Sequence, residues 1–178
     1  MSYKPAWPNS QFAKPVLNQI IALIQRDQGS AIAIVNPSLA PINEFHKGPG
    51  LRTALPWLTV SVDSLTFAAD ALGTRQSLSR IALTLDVGQY DREMAQDNVQ
   101  DYARVMDMVI TTASEADWET PLAISLETVP AGVTTPSASG SIKEVFVESH
   151  HYEVVTVDEI ETPLLRLTLN LAFTLEET

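Results

Sequence analysis

The sequence predicts an α+β domain: a mainly antiparallel β-sheet of two hairpins, covered by an N-terminal helix and one long central helix. Three observations carry this. Residues 165–175 place an apolar side chain at every odd position, the period of a strand. Residues 91–113 carry apolar side chains at helical spacing, which makes a helix of about 35 Å, long enough to cross a sheet. Hydrophobic residues make up 45% of the 178, enough apolar surface for one core.

Taken in order, residues 1–13 read as an extended arm and residues 14–178 as a single domain. The arm holds Pro5 and Pro8, which resist regular structure, and the aromatic anchors Tyr3, Trp7 and Phe12, which need burial. It packs either on its own body or on a neighbouring subunit. The first helix is expected over 15–28. Pro15 suits its first turn, Gly29 suits the left-handed position after its end, and Leu17, Ile20, Ile21 and Ile24 form its stripe. Residues 30–35 are an apolar run that periodicity alone leaves open between helix and strand. Residues 36–56, with Pro37, Pro41, Gly48, Pro49, Gly50 and Pro56, read as a loop.

Residues 57–67 and 78–87 read as the first hairpin. Leu58, Val60 and Val62 alternate with polar neighbours in one strand, and Ile81, Leu83, Leu85 and Val87 do so in the other. The segment 69–74 connects them. The long helix starts on Asp91 as N-cap, with its stripe on Ala95, Val99, Tyr102, Ala103, Met106, Val109, Ile110 and Ala113. Its opposite face carries Glu93, Asp97 and Asp101 at i, i+4 and i+8. A short strand is expected over 122–129. A flexible loop without charged residues is expected over 130–141, either a finger that docks elsewhere or a loose tip. Strand character resumes over 142–157, and Thr162-Pro163 breaks it before the last strand. There Leu165, Leu167, Leu169, Leu171 and Phe173 form the apolar row. If this strand lies at a sheet edge, its free N–H and C=O groups make it an inter-subunit strand.

Charge and motif content narrow the function. The net charge is −11, and it is uneven. Residues 1–89 hold 7 basic and 5 acidic side chains, whereas residues 90–178 hold 4 and 17. Such a balance argues against tight nucleic-acid binding, which needs a basic footprint. It leaves open one strongly negative face or a generally acidic surface. There is no cysteine, hence no disulfide, thiolate nucleophile or cysteine metal site. Phosphate-loop, dinucleotide, nucleophile-elbow and zinc-protease motifs are missing, so neither catalysis nor a cofactor is expected. A metal site built from Glu148, His150 and His46 is the weak enzymatic alternative. No membrane span or secretory leader is expected, so the protein is expected to work where it is made.

Across residues 15–177 the order of these elements resembles the tail terminator family of tailed bacteriophages. The resemblance rests on the amphipathic first helix and on the Pro-rich segment leading into Leu55-Pro56-Trp57-Leu58-Thr59-Val60. It continues with Arg80-Ile81-Ala82-Leu83-Thr84-Leu85-Asp86-Val87, followed directly by the helix with Asp97-Asn98-Val99-Gln100-Asp101-Tyr102-Ala103. It closes on His151-Tyr152-Glu153-Val154 and Leu165-Arg166-Leu167-Thr168-Leu169-Asn170-Leu171. It implies a structural virion protein of the neck, assembled in the host cytoplasm without cofactor. That protein would form a ring with itself, usually a hexamer, contacting the tail tube protein and the head–tail connector or stopper. DNA would pass through its lumen without specific binding. The arm and the 130–141 loop match no hallmark of that family. They leave open a connector, stopper, tube or baseplate protein.

Overall fold

The computed structural model describes residues 8–47, 54–65, 75–88, 92–113, 115–118, 122–124, 138–157 and 160–177. The elements are helix α1 (Pro8–Val35), strands β1 (Glu44–Lys47), β2 (Trp57–Leu65) and β3 (Arg75–Gly88), helices α2 (Arg92–Thr112) and α3 (Glu115–Trp118), and strands β4 (Leu122–Ile124), β5 (Ala138–Val157) and β6 (Ile160–Glu177). The α+β class is as the sequence predicts.

Helix α1 is longer than expected at both ends. It begins at Pro8, so residues 8–13 of the expected arm are helical, and Pro15 lies inside the helix rather than in its first turn. Pro8 offers the same preset φ about two turns earlier. At the other end Gly29 does not stop the helix. The buried stripe Leu17, Ile20, Ile21, Ile24 continues through Gln28, Ala31 and Ile32, so burial outweighs the weak glycine signal. Buried Gln28 pays for the continuation: its Nε2 donates to the Ile42 carbonyl and its Oε1 accepts from the Ile42 N–H, both at 2.9 Å. The helix ends where the Asn36 N–H bonds the Ile32 carbonyl and Pro37 follows.

Gly29 is exposed, and a Cβ added there would meet nothing within 4 Å. Gly29→Ala is therefore expected to stabilise the protein by about 1 kcal/mol. A thermal melt should show this as a rise of about 2–4 °C.

The six strands lie in the order β1-β2-β3-β6-β5-β4. Both expected hairpins are present: β2 pairs antiparallel with β3, and β5 with β6. β1, inside the expected loop, pairs parallel with β2. The final strand is not at an edge. β3 pairs with it from Leu164 to Glu177 on one side and β5 does so on the other. This corrects the inter-subunit reading of Leu165, Leu167, Leu169, Leu171 and Phe173. Leu167, Leu169 and Leu171 are wholly buried and Phe173 nearly so, under the helices of the same chain. An unbroken apolar alternation marks a strand that buries one face; it says nothing about which strands flank it.

Two expected breaks are also absorbed. β6 runs through Pro163, which falls beyond the last β3 pair, Gly88–Leu164, and inside a register irregularity with β5 between Val155 and Val157. A missing N–H costs nothing there. Residues 138–141 belong to β5, where 138–140 are paired with β4. The rest of the expected loop, the end of the 122–129 strand, and the 69–74 connection lie outside the described residues.

Helices α1 and α2 cover one face of the sheet. Leu58 and Val60 of β2, Ile81, Leu83 and Leu85 of β3, and the odd row of β6 meet Ile20 and Ile24 of α1 and Val99, Met106 and Val109 of α2 in one core. Tyr102 joins it and donates from its hydroxyl to the Ala40 carbonyl at 2.6 Å, and burial pushes its phenol up to about 12. The short α3 is tied to α1 through Gln19, whose Nε2 donates to the Asp117 carbonyl, and through Arg26, whose Nη1 lies 2.5 Å from the Asp117 carboxylate.

Candidate assembly surface

The covered face of the sheet is apolar; the opposite face is polar and internally paired. Asp86 of β3 is fully buried there. Arg166 of β6 donates to it through Nε at 2.6 Å and through Nη2 at 3.0 Å, and the Trp57 indole N–H of β2 donates at 2.6 Å. The paired carboxylate holds the Arg166 guanidinium above its ordinary pKa. Nearby, Arg80 of β3 reaches across β6 to grip both oxygens of Glu148 on β5, at 2.6 and 2.9 Å. That bidentate pair holds the Glu148 carboxyl below the usual range. Asn170 of β6 donates to the Ser149 hydroxyl of β5 at 2.9 Å. These contacts tie four adjacent strands, β2, β3, β6 and β5, together on the face opposite α1 and α2.

The alternative metal set of Glu148, His150 and His46 is dismantled by the topology. His46 is on β1 and pairs with Glu44 at 3.3 Å. β5 lies four strands away, about 19 Å at ordinary strand spacing. On β5 itself Glu148 serves Arg80 on the polar face. His150 bonds Asp107 of α2 at 3.0 Å on the helix-covered face. Among the described residues no group of three His, Cys, Asp or Glu could hold a metal ion.

The acidic row of α2 is divided. Asp101 is engaged: Arg104 donates to one oxygen at 3.0 Å and Asn36 to the other at 2.9 Å, tying α2 to the end of α1. Glu93 and Asp97 are exposed, and with Met94, Asn98, Asn36 and Ser38 they line a shallow polar depression of about 520 Å³. Of the arm anchors, Tyr3 and Trp7 lie outside the described residues, and Phe12 falls within the α1 backbone.

Two features escaped the sequence reading. One is the buried Asp86 network; alternation placed Asp86 on the outward side of β3, and nothing local marks an outward aspartate as buried. The other is the outer edge of β5. Among the described residues β4 pairs with it only at 138–140, so the strand from Ser141 to Val157 has no further described partner on that side. Tyr152 and Val154 stand on the helix side of this strand and Phe146 on the other, 44%, 56% and 44% exposed. With Gln96, Val99 and Gln100 of α2 and Leu165 of β6, Tyr152 and Val154 line a groove of about 340 Å³. The signal was available in Tyr152-Glu153-Val154-Val155, where apolar side chains on both faces break the alternation.

No family model matches this chain, and no curated protein does. Its fold is shared with a chain from the virion of a native gene transfer agent particle. That chain is 9% identical, the match covers 96% of this chain and 99% of that one, and the TM-score is 0.53. At that identity the likeness is one of fold. A second solved chain, 15% identical over 88% of this chain and 94% of its own, superposes with a TM-score of 0.30, too low to carry an argument. Among the described residues no helix is long and apolar enough to cross a membrane.

Proposed function

We propose that this chain is a structural subunit of a tailed-phage-like virion, and within it the tail terminator. In this reading copies of the chain form a ring, a hexamer as in the family it resembles. The ring caps the tail tube, ends its polymerisation and joins it to the head connector or stopper. The observation that carries the reading is the fold shared, over nearly the full length of both chains, with a component of a gene transfer agent virion. The element order read from the sequence, over residues 15–177, points the same way. The protein works by shape and contact, without catalysis or a cofactor, in the neck of a particle assembled in the host cytoplasm.

The acidic C-terminal half supplies material for a lumen that repels the DNA backbone, with Glu93 and Asp97 of α2 as candidate lumen residues. The N-terminal anchors Tyr3, Trp7 and Phe12 are candidates for contact with a neighbouring subunit.

Native mass measurement and negative-stain microscopy of the purified chain, alone and with tail tube protein, test the proposal. A ring that caps and shortens the tubes is the expected result. A stable monomer at micromolar concentration in both conditions overturns it. The second reading is another neck or tail component. A likeness of fold at 9% identity is equally compatible with this reading. Tubes lengthened by the chain identify a tube protein, and binding to the connector without capping identifies a connector or stopper.

A further inference from the structure

We infer that the outer edge of β5 pairs with the same edge of a second copy of this chain, antiparallel about a two-fold axis at Tyr152. The contact is separate from the ring proposed above, because a two-fold joint cannot repeat around a ring whose subunits all face one way. The backbone sets the place. From Ser149 to Val155, β5 runs as seven regular residues against Asn170 to Leu164 of β6, and a register shift bounds the run at either end. Among the described residues no strand pairs with its other side, since β4 stops at 138–140. A regular edge with free N–H and C=O groups is a template for a further strand. Every residue from Ser149 to Val154 is exposed, so the strand stands bare on both faces of the sheet.

The side chains choose the occupant and its register. His150, Tyr152 and Val154 lie on the helix-covered face, and Ser149, His151, Glu153 and Val155 lie on the other, as their registers with β6 show. Residues directly opposite in an antiparallel pair share a face, so two copies of the run can slide only in steps of two. With Tyr152 on the axis, His151 of each copy faces Glu153 of the other, and the whole run is paired. His150 then faces Val154, and Tyr152 meets its own copy, which covers the exposed Tyr152 and Val154. Moving the axis to His151 sets two imidazoles opposite each other, and moving it to Glu153 sets two carboxylates opposite. Either shift also carries two residues past one of the bounding irregularities. His151 and Glu153 are both exposed, and no hydrogen bond joins either to another described residue. Glu153 stands beside Arg166, whose guanidinium is taken by Asp86, and Glu148, just before the run, is held by Arg80.

The chain contains no cysteine, so an introduced thiol reports cleanly. Tyr152→Cys puts one thiol per copy at the axis, with Cα atoms about 4.5–5.5 Å apart, inside disulfide reach. Val154→Cys is at an equally exposed position, but its two copies would stand about 14 Å apart. Full-length variants are oxidised at micromolar concentration and followed on non-reducing denaturing gels. Tyr152→Cys is expected to form a dimer roughly tenfold faster than Val154→Cys, and to stop at the dimer. In the Tyr152→Cys background, His151→Glu alone or Glu153→His alone is expected to slow the linkage about tenfold. The two together are expected to restore it, since the exchange rebuilds both opposite pairs. Equal rates for Tyr152→Cys and Val154→Cys overturn the inference, as do single variants that slow nothing or an exchange that restores nothing. Native mass of the unaltered chain, alone and with tail tube protein, keeps the two readings apart. A ring without the Tyr152→Cys dimer removes this contact alone, and the dimer without a ring removes the ring alone.

Discussion

Replacing Asp86 by alanine is expected to lower the stability of the fold by about 3–5 kcal/mol. The carboxylate is fully buried and neutralises Arg166 through two hydrogen bonds while accepting the Trp57 indole N–H. Without it, a guanidinium on β6 and an indole N–H on β2 lose their common acceptor. The charged donor is the more expensive of the two. Asp86→Asn keeps one acceptor oxygen but leaves the guanidinium uncompensated, so it should be destabilising as well. Trp57→Phe removes one hydrogen bond from a neutral donor to the carboxylate and should cost least of the three. Chemical denaturation of the three variants gives the order. A loss under 1 kcal/mol for Asp86→Ala would mean that the network does not hold the strands together.

The second large effect is expected at Leu169. Leu169→Ala should cost about 2–5 kcal/mol, because the side chain is wholly buried at the centre of the sheet between Leu83 and His150 and beneath the helices. A chain of this length should then melt lower by roughly 4–20 °C. This experiment separates two roles for the final strand. As a core strand it loses stability within each subunit, at any protein concentration. As an inter-subunit strand it would weaken assembly and leave the isolated subunit intact. Melts at two concentrations a hundredfold apart distinguish the cases, and the buried geometry leads us to expect the same loss at both.

The contrast between these residues shows what a sequence reveals. Leu169 was legible as a buried strand residue because the apolar row of β6 repeats with period two over eleven residues. Helix α2 was legible for the same reason at period 3.6, and its observed limits, Arg92–Thr112, fall within two residues of the expected ones. The continuation of α1 past Gly29 was present in the same stripe, at Ala31 and Ile32. It was hidden because a glycine stands just before these two residues and is also the ordinary signal of a helix end. Asp86 was not legible. Its two partners stand 29 and 80 residues away, and only the pairing of β2 and β6 on either side of β3 brings them to one point.

The same division runs through the assembly surface. Side-chain periodicity is a property of each segment and is set by local backbone geometry, so the sequence by itself determined the strongly periodic segments, α2 and strands β2, β3 and β6, and which of their faces is apolar. It also determined the acidic second half and the absence of cysteine. Strand order is set by long-range competition among segments of similar pattern, and only the tertiary structure decided it. It moved β6 to the middle of the sheet, put β1 and β4 at its two ends, and separated His46 from Glu148 and His150. The physical reason is that a strand's own sequence specifies the side chains it buries, whereas its hydrogen-bonding edges are the same backbone in every strand.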